Sequence, residues 1–305
     1  MIRLASIVLF LAFILTGCFT GVESTPKITD KDMRRQRVTT TDEERFLSHI
    51  AADPMGAWRS GKQWYVSGPK VRLMMSTNAP ADYEIAVGDT LTLEGAAQAP
   101  GITGNAVTVL NFTDSHGYRY DYRIDQPADS LSSRRLSIPY TIDLDVVARV
   151  DSLMRGNTYY IVSRLWLDQE GQPYTGKKFV PVRVTSVTAG NDIYPLRVNF
   201  IDPDGNIRGA FMSVGSDRSS MRNFDSIFSF TDPALRYKGI TPQHWTMIIN
   251  GEITEDMTRE ECRLSLGSPK SIDTLPGYGG VTEQWIYDDG RYLIFQDGLL
   301  RQYRK

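Results

Sequence analysis

Few residues in this 305-residue chain have the type and spacing to do chemistry, and its two cysteines, Cys18 and Cys262, come first. A thiol reacts as its thiolate, which needs exposure or a neighbouring cation. Cys262 falls at the staple position of an expected helix, where a free cysteine packs as a small buried hydrophobe. His49, His116 and His244 make no ligand spacing. Asp202-Pro203-Asp204-Gly205-Asn206 hints at calcium but lacks a spaced third carboxylate and a closing Glu. Gly176-Lys177-Lys178 lacks the preceding glycine of a phosphate loop, and no G-x-S-x-G or H-E-x-x-H spacing occurs. Asp288-Asp289 sits at a hairpin tip, where solvation prevents burial from raising a pKa. The aromatic residues suit the cores of small β modules better than a sugar platform. What remains is covalent modification at Cys18, with no catalytic residue, cofactor or metal expected.

Cys18 owes that reading to what precedes it. Arg3 is followed by an apolar run from Leu4 to Ile14 and then Leu15-Thr16-Gly17-Cys18. A basic start, a short apolar segment and small residues at its end form a secretory signal. The run is shorter than the roughly 20 residues a membrane span needs. Leu-Thr-Gly-Cys resembles the bacterial lipoprotein lipobox, which implies lipidation (palmitate) of Cys18 rather than an ordinary signal peptide or a transmembrane anchor. Residues 1–17 are then a signal peptide and 18–40 a tether, polar and low in apolar periodicity. Its Met33-Arg34-Arg35-Gln36-Arg37 cluster reads as solvated linker before it reads as a lipid head-group contact. With Cys18 acylated, Cys262 has no disulfide partner. The formal net charge of −2 is evenly mixed, so no basic field argues for nucleic acid.

The body of the chain reads as one pattern twice. Thr41-Asp42-Glu43-Glu44 is a capping box opening a helix through Phe46, Leu47 and Ile50. Strands follow at 61–66, 71–76, 90–95, 106–112 and 118–124. A helix through Leu144, Val147, Val150 and Met154 begins the second copy, with strands at 156–161, 163–167, 178–184, 196–201 and 209–214. The copies share Gly-x-x-aromatic-Tyr-aliphatic at Gly61 and Gly156, and Asn-Phe-x-Asp-x-x-Gly at Asn111 and Asn199. Five short strands per copy fit a small closed or half-closed barrel, SH3-like as the first choice, with an open sandwich as the alternative. The expected modules are 41–125 and 141–238, joined by a polar, Ser-rich linker at 126–140. Phe224 to Tyr237 reads as a further strand or packing segment joining the last module.

Residues 239–305 carry the clearest local signals. Thr241 is an N-cap, Pro242 the first helical residue, Ile240 and Trp245 a hydrophobic staple, and Gly251 the stop. Thr258-Arg259-Glu260-Glu261 is a second capping box, stapled by Met257 and Cys262, in a helix closed by Leu266 and Gly267. Period-two patterns at 281–287, 291–295 and 299–303, with turns at Asp289-Gly290 and Asp297-Gly298, give a three-stranded meander. Met257-Thr258, Glu260-Glu261, Leu264 to Pro269, Glu283 to Tyr287 and Tyr292 to Gly298 resemble the BamE/SmpA-like family of small outer-membrane lipoproteins. That family usually has Gly where this chain has Asp256, a residue that tolerates turn geometry. The fold class expected is therefore α+β, mostly β: two tandem five-stranded barrels, each preceded by a short helix, then an ααβββ module.

The resemblances imply a non-catalytic envelope lipoprotein at the outer membrane, facing the periplasm, that scaffolds or assists assembly with an envelope protein. Peptidoglycan binding through the SH3-like repeats is the alternative, and an enzyme with an unrecognised site the third. Tyr292-Leu293-Ile294-Phe295 is apolar on both sides of its strand. One face should bury against Trp245, Ile248, Ile249 and Leu266; the other, with Ile286, Tyr292 and Ile294, is the expected docking surface.

Overall fold

The computed structural model describes residues 42–101, 104–214, 222–277 and 280–304. Cys18, the tether, the Thr41 cap and most of the 216–223 loop lie outside the described residues. The body is mostly β, 37% strand and 21% helix, in antiparallel sheets, none of them closed.

The first sheet starts from β1 (Gln63–Val66), in which Trp64 and Val66 turn inward and Gln63 is exposed. β2 (Ser76–Thr77), β3 (Thr90–Pro100), β4 (Ala106–Asp114), β5 (Arg119–Ile124) and β6 (Thr141–Asp143) complete it, in the order β2-β5-β4-β3-β1-β6. The second holds β7 (Thr158–Ile161), β8 (Leu165–Leu167), β9 (Pro173–Thr175), β10 (Val180–Ala189), β11 (Leu196–Ile201), β12 (Ile207–Met212) and β13 (Phe228–Ser229). Its order is β13-β7-β10-β11-β12-β8-β9. Apart from the extra edge strand β9, the two orders are the same. β6 and β13 explain why neither sheet closes: each occupies the free edge of the first strand, β1 or β7, that a barrel would use.

The repeated Asn-Phe-x-Asp-x-x-Gly motif encodes the same backbone event in both copies. Leu93 pairs with Phe112 and Gly95 with Asn111 across a bulge; Val184 pairs with Phe200 and Ser186 with Asn199 across another. Beyond each bulge the chain turns on an aspartate. Asp114 Oδ1 accepts from the amides of His116 and Tyr118, and Asp202 Oδ1 from those of Asp204 and Asn206, all at 2.9 Å. Gly117 and Gly205 then adopt φ of 85° and 83°, which an L side chain resists. Phe112 and Phe200 are fully buried, each meeting a tryptophan edge-on: Trp64 at 5.3 Å and Trp166 at 5.2 Å.

Several elements depart from the sequence reading. Residues 71–76 were expected as a strand, yet Val71–Met74 is a short helix, α2, leading into β2. The cause is spacing: Val71 and Met75 are buried while Leu73 and Met74 are exposed, an i,i+4 pattern. Arg72 fixes the turn through the carbonyls of Tyr83 and Pro80. Residues 126–135 carry α3 (Ala128–Leu131), whose Leu131 is fully buried, and lie on the Met55–Ala57 turn through Met55 N–Arg134 O and Gly56 N–Ser132 O bonds. Phe46, Leu47 and Ile50, on and just after α1 (Asp42–His49), pack on the second core rather than the first. Phe46 meets Phe224 at 5.1 Å and Phe230 at 5.2 Å. Phe224 lies in α5 (Phe224–Ile227), which with β13 belongs to the second sheet.

β6 runs straight into α4 (Leu144–Met154). Asp143 caps that helix by accepting from Asp145 N. Lys62, buried beside the Trp64 ring, donates to Asp143 Oδ1 and Asp145 Oδ2, both at 2.6 Å. The first sheet is thereby tied to a helix whose Val146, Val147, Val150 and Met154 belong to the second core.

The C-terminal sheet has four strands, not the three expected: β14 (Ser271–Gly277), β15 (Gly280–Ile286), β16 (Tyr292–Gln296) and β17 (Leu299–Arg304), in that order. β14 is an edge strand, where Pro276 removes no needed ladder donor. α6 (Pro242–Asn250) and α7 (Arg259–Leu266) form as their caps dictate. Thr241 accepts from His244 N, Gly251 is left-handed, and Thr258 and Glu261 exchange both capping-box bonds. Asp256, where the family resemblance placed a glycine, has φ of 66° and pairs with Arg301. Asp297 and Gly298, both at positive φ, form the β16–β17 turn. The core holds Ile248, Met257, Cys262, Trp285, Leu293 and Phe295, with Trp245 and Leu266 packed against it. Ile249, expected here, packs on the second core instead.

Two substitutions test this architecture. Lys62→Met leaves the Asp143 carboxylate, only 14% exposed, without its cation, and urea unfolding should show a loss of about 3 kcal/mol. Asp256→Gly relieves a left-handed aspartate whose exposed ion pair contributes little, and should raise stability by about 0.5–1 kcal/mol.

Candidate functional site

β15 and β16 sort their side chains by register. Trp285 faces Leu293 and Glu283 faces Phe295, on the side carrying the core. On the other side Ile286 faces Tyr292 and Gln284 faces Ile294. Ile286, Tyr292 and Ile294 are each half-buried, and none belongs to any of the three apolar cores. Cross-strand neighbours continue this face as Ser271 and Asp273 on β14, Thr282 and Gln296, then Gln302 and Arg304 on β17. Leu299, opposite Gln296, joins Ile286, Tyr292 and Ile294, so this face gathers four apolar side chains among polar and charged neighbours. All three residues singled out from the sequence lie together here. Cys18, the fourth, lies outside the described residues.

The helix side of this module is already occupied. Trp245 of α6 stacks on Phe179 at 5.5 Å with 20° between planes, and Lys178 N donates to Ile249 O. Phe179 holds φ of 59°, unusual for a bulky residue, at the joint between this module and the second sheet. α6 therefore divides its apolar residues, Ile248 to the third core and Ile249 to the second.

That joint also holds, among the described residues, a buried cation without a counter-charge, which sequence reading passed over as a strand entry. Lys178 is 8% exposed, and its ammonium lies 5.2 Å from the Phe179 ring centroid with no hydrogen-bond or carboxylate partner. Burial, helped by the nearby Arg164 guanidinium, pushes its pKa down to about 8. The signal available in sequence was only a second lysine beside Lys177. Lys177 itself is spoken for, paired with Asp204 at 2.8 Å.

The remaining titratable groups have structural partners. Burial, with Glu261 alongside, pushes the Cys262 thiol up to about 12, which leaves no thiolate at neutral pH. Burial would also raise Glu261, but the Thr258 amide and the His244 ring at 2.8 Å outweigh it and hold the carboxyl below its ordinary range. His116 lies 2.9 Å from the Tyr83 hydroxyl, which donates to Asp114. Burial and Asp114 push that phenol well above its usual range, so the trio is a poor proton relay. Asp202, the calcium candidate, directs its carboxylate at its own turn amides and Asn206. Among the described residues no group of three His, Cys, Asp or Glu side chains converges. No helix among them is long and apolar enough to cross a membrane.

Lys178 gives a pH signature with a fixed sign. Its folded pKa lies below the unfolded value of about 10.4. Between the two, the unfolded chain holds a proton the folded chain has lost, so stability rises with pH from about 8 to about 10.4. Below pH 8 both states are charged and the folded state bears the full desolvation. Lys178→Met should raise stability at pH 7 by about 1–4 kcal/mol and flatten that rise, measured by urea unfolding at several pH values.

Compared with protein-family models, with curated proteins and with solved structures, the chain matches none.

Proposed function

We propose that this chain is a lipid-anchored protein of the bacterial envelope that works without catalysis, as a docking scaffold for an envelope protein at the periplasmic face of the outer membrane. The observation that carries this reading is the second face of the C-terminal sheet. Ile286, Tyr292 and Ile294 share it, opposite a side already filled by Trp285, Leu293 and Phe295. Apolar side chains gathered among polar neighbours favour a protein partner over a charged polymer. The anchor rests on Leu15-Thr16-Gly17-Cys18, and acylation with more than one chain is what makes such attachment stable.

The same reading takes the α-α-β-sheet order of 239–305 as BamE/SmpA-like, with β14 added, and the two larger sheets as opened relatives of SH3-like modules. Their matching strand order supports common descent of the pair. That duplication also favours a second reading, in which the two β units bind peptidoglycan.

One set of variants tests both. Cys18→Ala should release the protein to the soluble fraction; a processed variant that stays membrane-bound overturns the anchor. Ile294→Lys should leave the melting temperature within a few degrees, because the side chain lies outside the core, while abolishing in-cell photocrosslinks placed at Tyr292. Crosslinks that persist unchanged count against the docking face. Retention of both variants on purified peptidoglycan would transfer the function to the β units.

A further inference from the structure

A cavity of about 580 Å³ opens where the first sheet meets the second. Its floor is Trp64, Ile138, Ile142 and Val146, all buried, contributed by β1, the approach to β6, β6 itself and α4. The 193–195 loop between β10 and β11 forms another wall and brings Ile193, 74% exposed, to the cavity. An apolar floor does not hold water well, and this volume is within the roughly 300–1,000 Å³ range of small-molecule sites.

The charges around the cavity differ in how far they are already satisfied. Asp143 lines it, but its carboxylate is held by Lys62 at 2.6 Å and by the Asp145 amide. Arg135 lines it as well, and is exposed. Its Nε donates to Ala52 O at 2.8 Å, which orients the guanidinium, while its two terminal nitrogens have no partner among the described residues. A guanidinium so placed offers two parallel donors to a carboxylate or phosphate. Among the described lining residues the acid is neutralised, while the cation keeps two donors available.

We infer that this cavity binds a single-chain anionic amphiphile, with its acyl chain over Trp64 and Ile142 and its head group on Arg135. The site is independent of the docking face on the C-terminal sheet and of the lipid anchor. The apolar floor supplies affinity, and the oriented guanidinium selects an anionic head over a neutral one. A carboxylate and a phosphate monoester fit that fork alike, so a fatty acid and a lysophospholipid are both candidate sources.

Trp64 on the floor provides the readout. The full chain in solution would be titrated with brominated stearate below its micelle concentration, alongside Trp64→Phe to separate this residue from the four other tryptophans. Saturable quenching that is weakened in Trp64→Phe is expected, with Trp58, 5.0 Å from Trp64, accounting for the remainder. Unlabelled palmitate and a lysophosphatidate should each displace the probe, and the stronger competitor identifies the head group. Arg135→Gln, an exposed substitution, should weaken palmitate about tenfold or more, the loss of a two-donor charge-assisted contact, without changing binding of a long-chain alcohol. Val214→Trp, on the cavity wall, should abolish binding of all three. Absence of quenching, quenching undiminished in Trp64→Phe, or an alcohol that binds wild type as tightly as palmitate would each overturn the assignment.

Discussion

The constraint on which the β body depends is that residues 141–154 serve two sheets at once. β6 completes the first sheet against β1, and the same stretch continues without a break into α4, which carries four buried side chains of the second core. A helix start leaves amide donors unpaired, and here Asp143 accepts one of them. The cap is also a largely enclosed charge, 14% exposed, and the buried Lys62, next to β1, answers it. One carboxylate thus ends a strand, starts a helix and fixes a cation. Because its partners lie on both sides of the boundary, loosening either sheet unsatisfies a buried ion. The amphiphile cavity lies beside this junction, since Ile142, Asp143 and Val146 belong to both the link and the lining.

What was legible in the sequence was whatever the chain needs locally. Asn-Phe-x-Asp-x-x-Gly could be read twice because it specifies a turn amide acceptor, a positive φ and a bulge, all within a few residues. The caps at Thr241 and Thr258 were legible for the same reason: short polar side chains facing unpaired amides have few alternatives. Asp256, read from the sequence only as a residue that tolerates turn geometry, is left-handed here without a glycine.

What escaped was decided by distant partners. β6, β13 and β14 are three, two and seven residues long, and none alternates strongly; each exists because an edge elsewhere accepts it. Expecting barrels followed from counting strands without these additions, which fill the very edges that closure needs. α1 carries apolar residues that fit any core, and its choice of the second over the first is fixed by the Phe46, Phe224, Phe230 and Tyr159 rings. Local pattern supplies the elements, while aromatic packing and edge availability supply their addresses.

Two features run against the stability of an isolated fold, and their placement is informative. Lys178 is buried without a counter-charge at a joint already held by the strained Phe179. Ile286, Tyr292 and Ile294 hold apolar surface away from every core. The sequence showed the second plainly, because Tyr292-Leu293-Ile294-Phe295 has no polar position to turn outward. Only the pairing of Trp285 with Leu293 decides which set is inner. The two features flank the same module, Lys178 by its helices and the apolar patch across the sheet. Its helix side is already engaged by the second core through Phe179 and Ile249. The sheet face is therefore the apolar surface this module keeps outside its own core, and the proposed scaffold role rests on it.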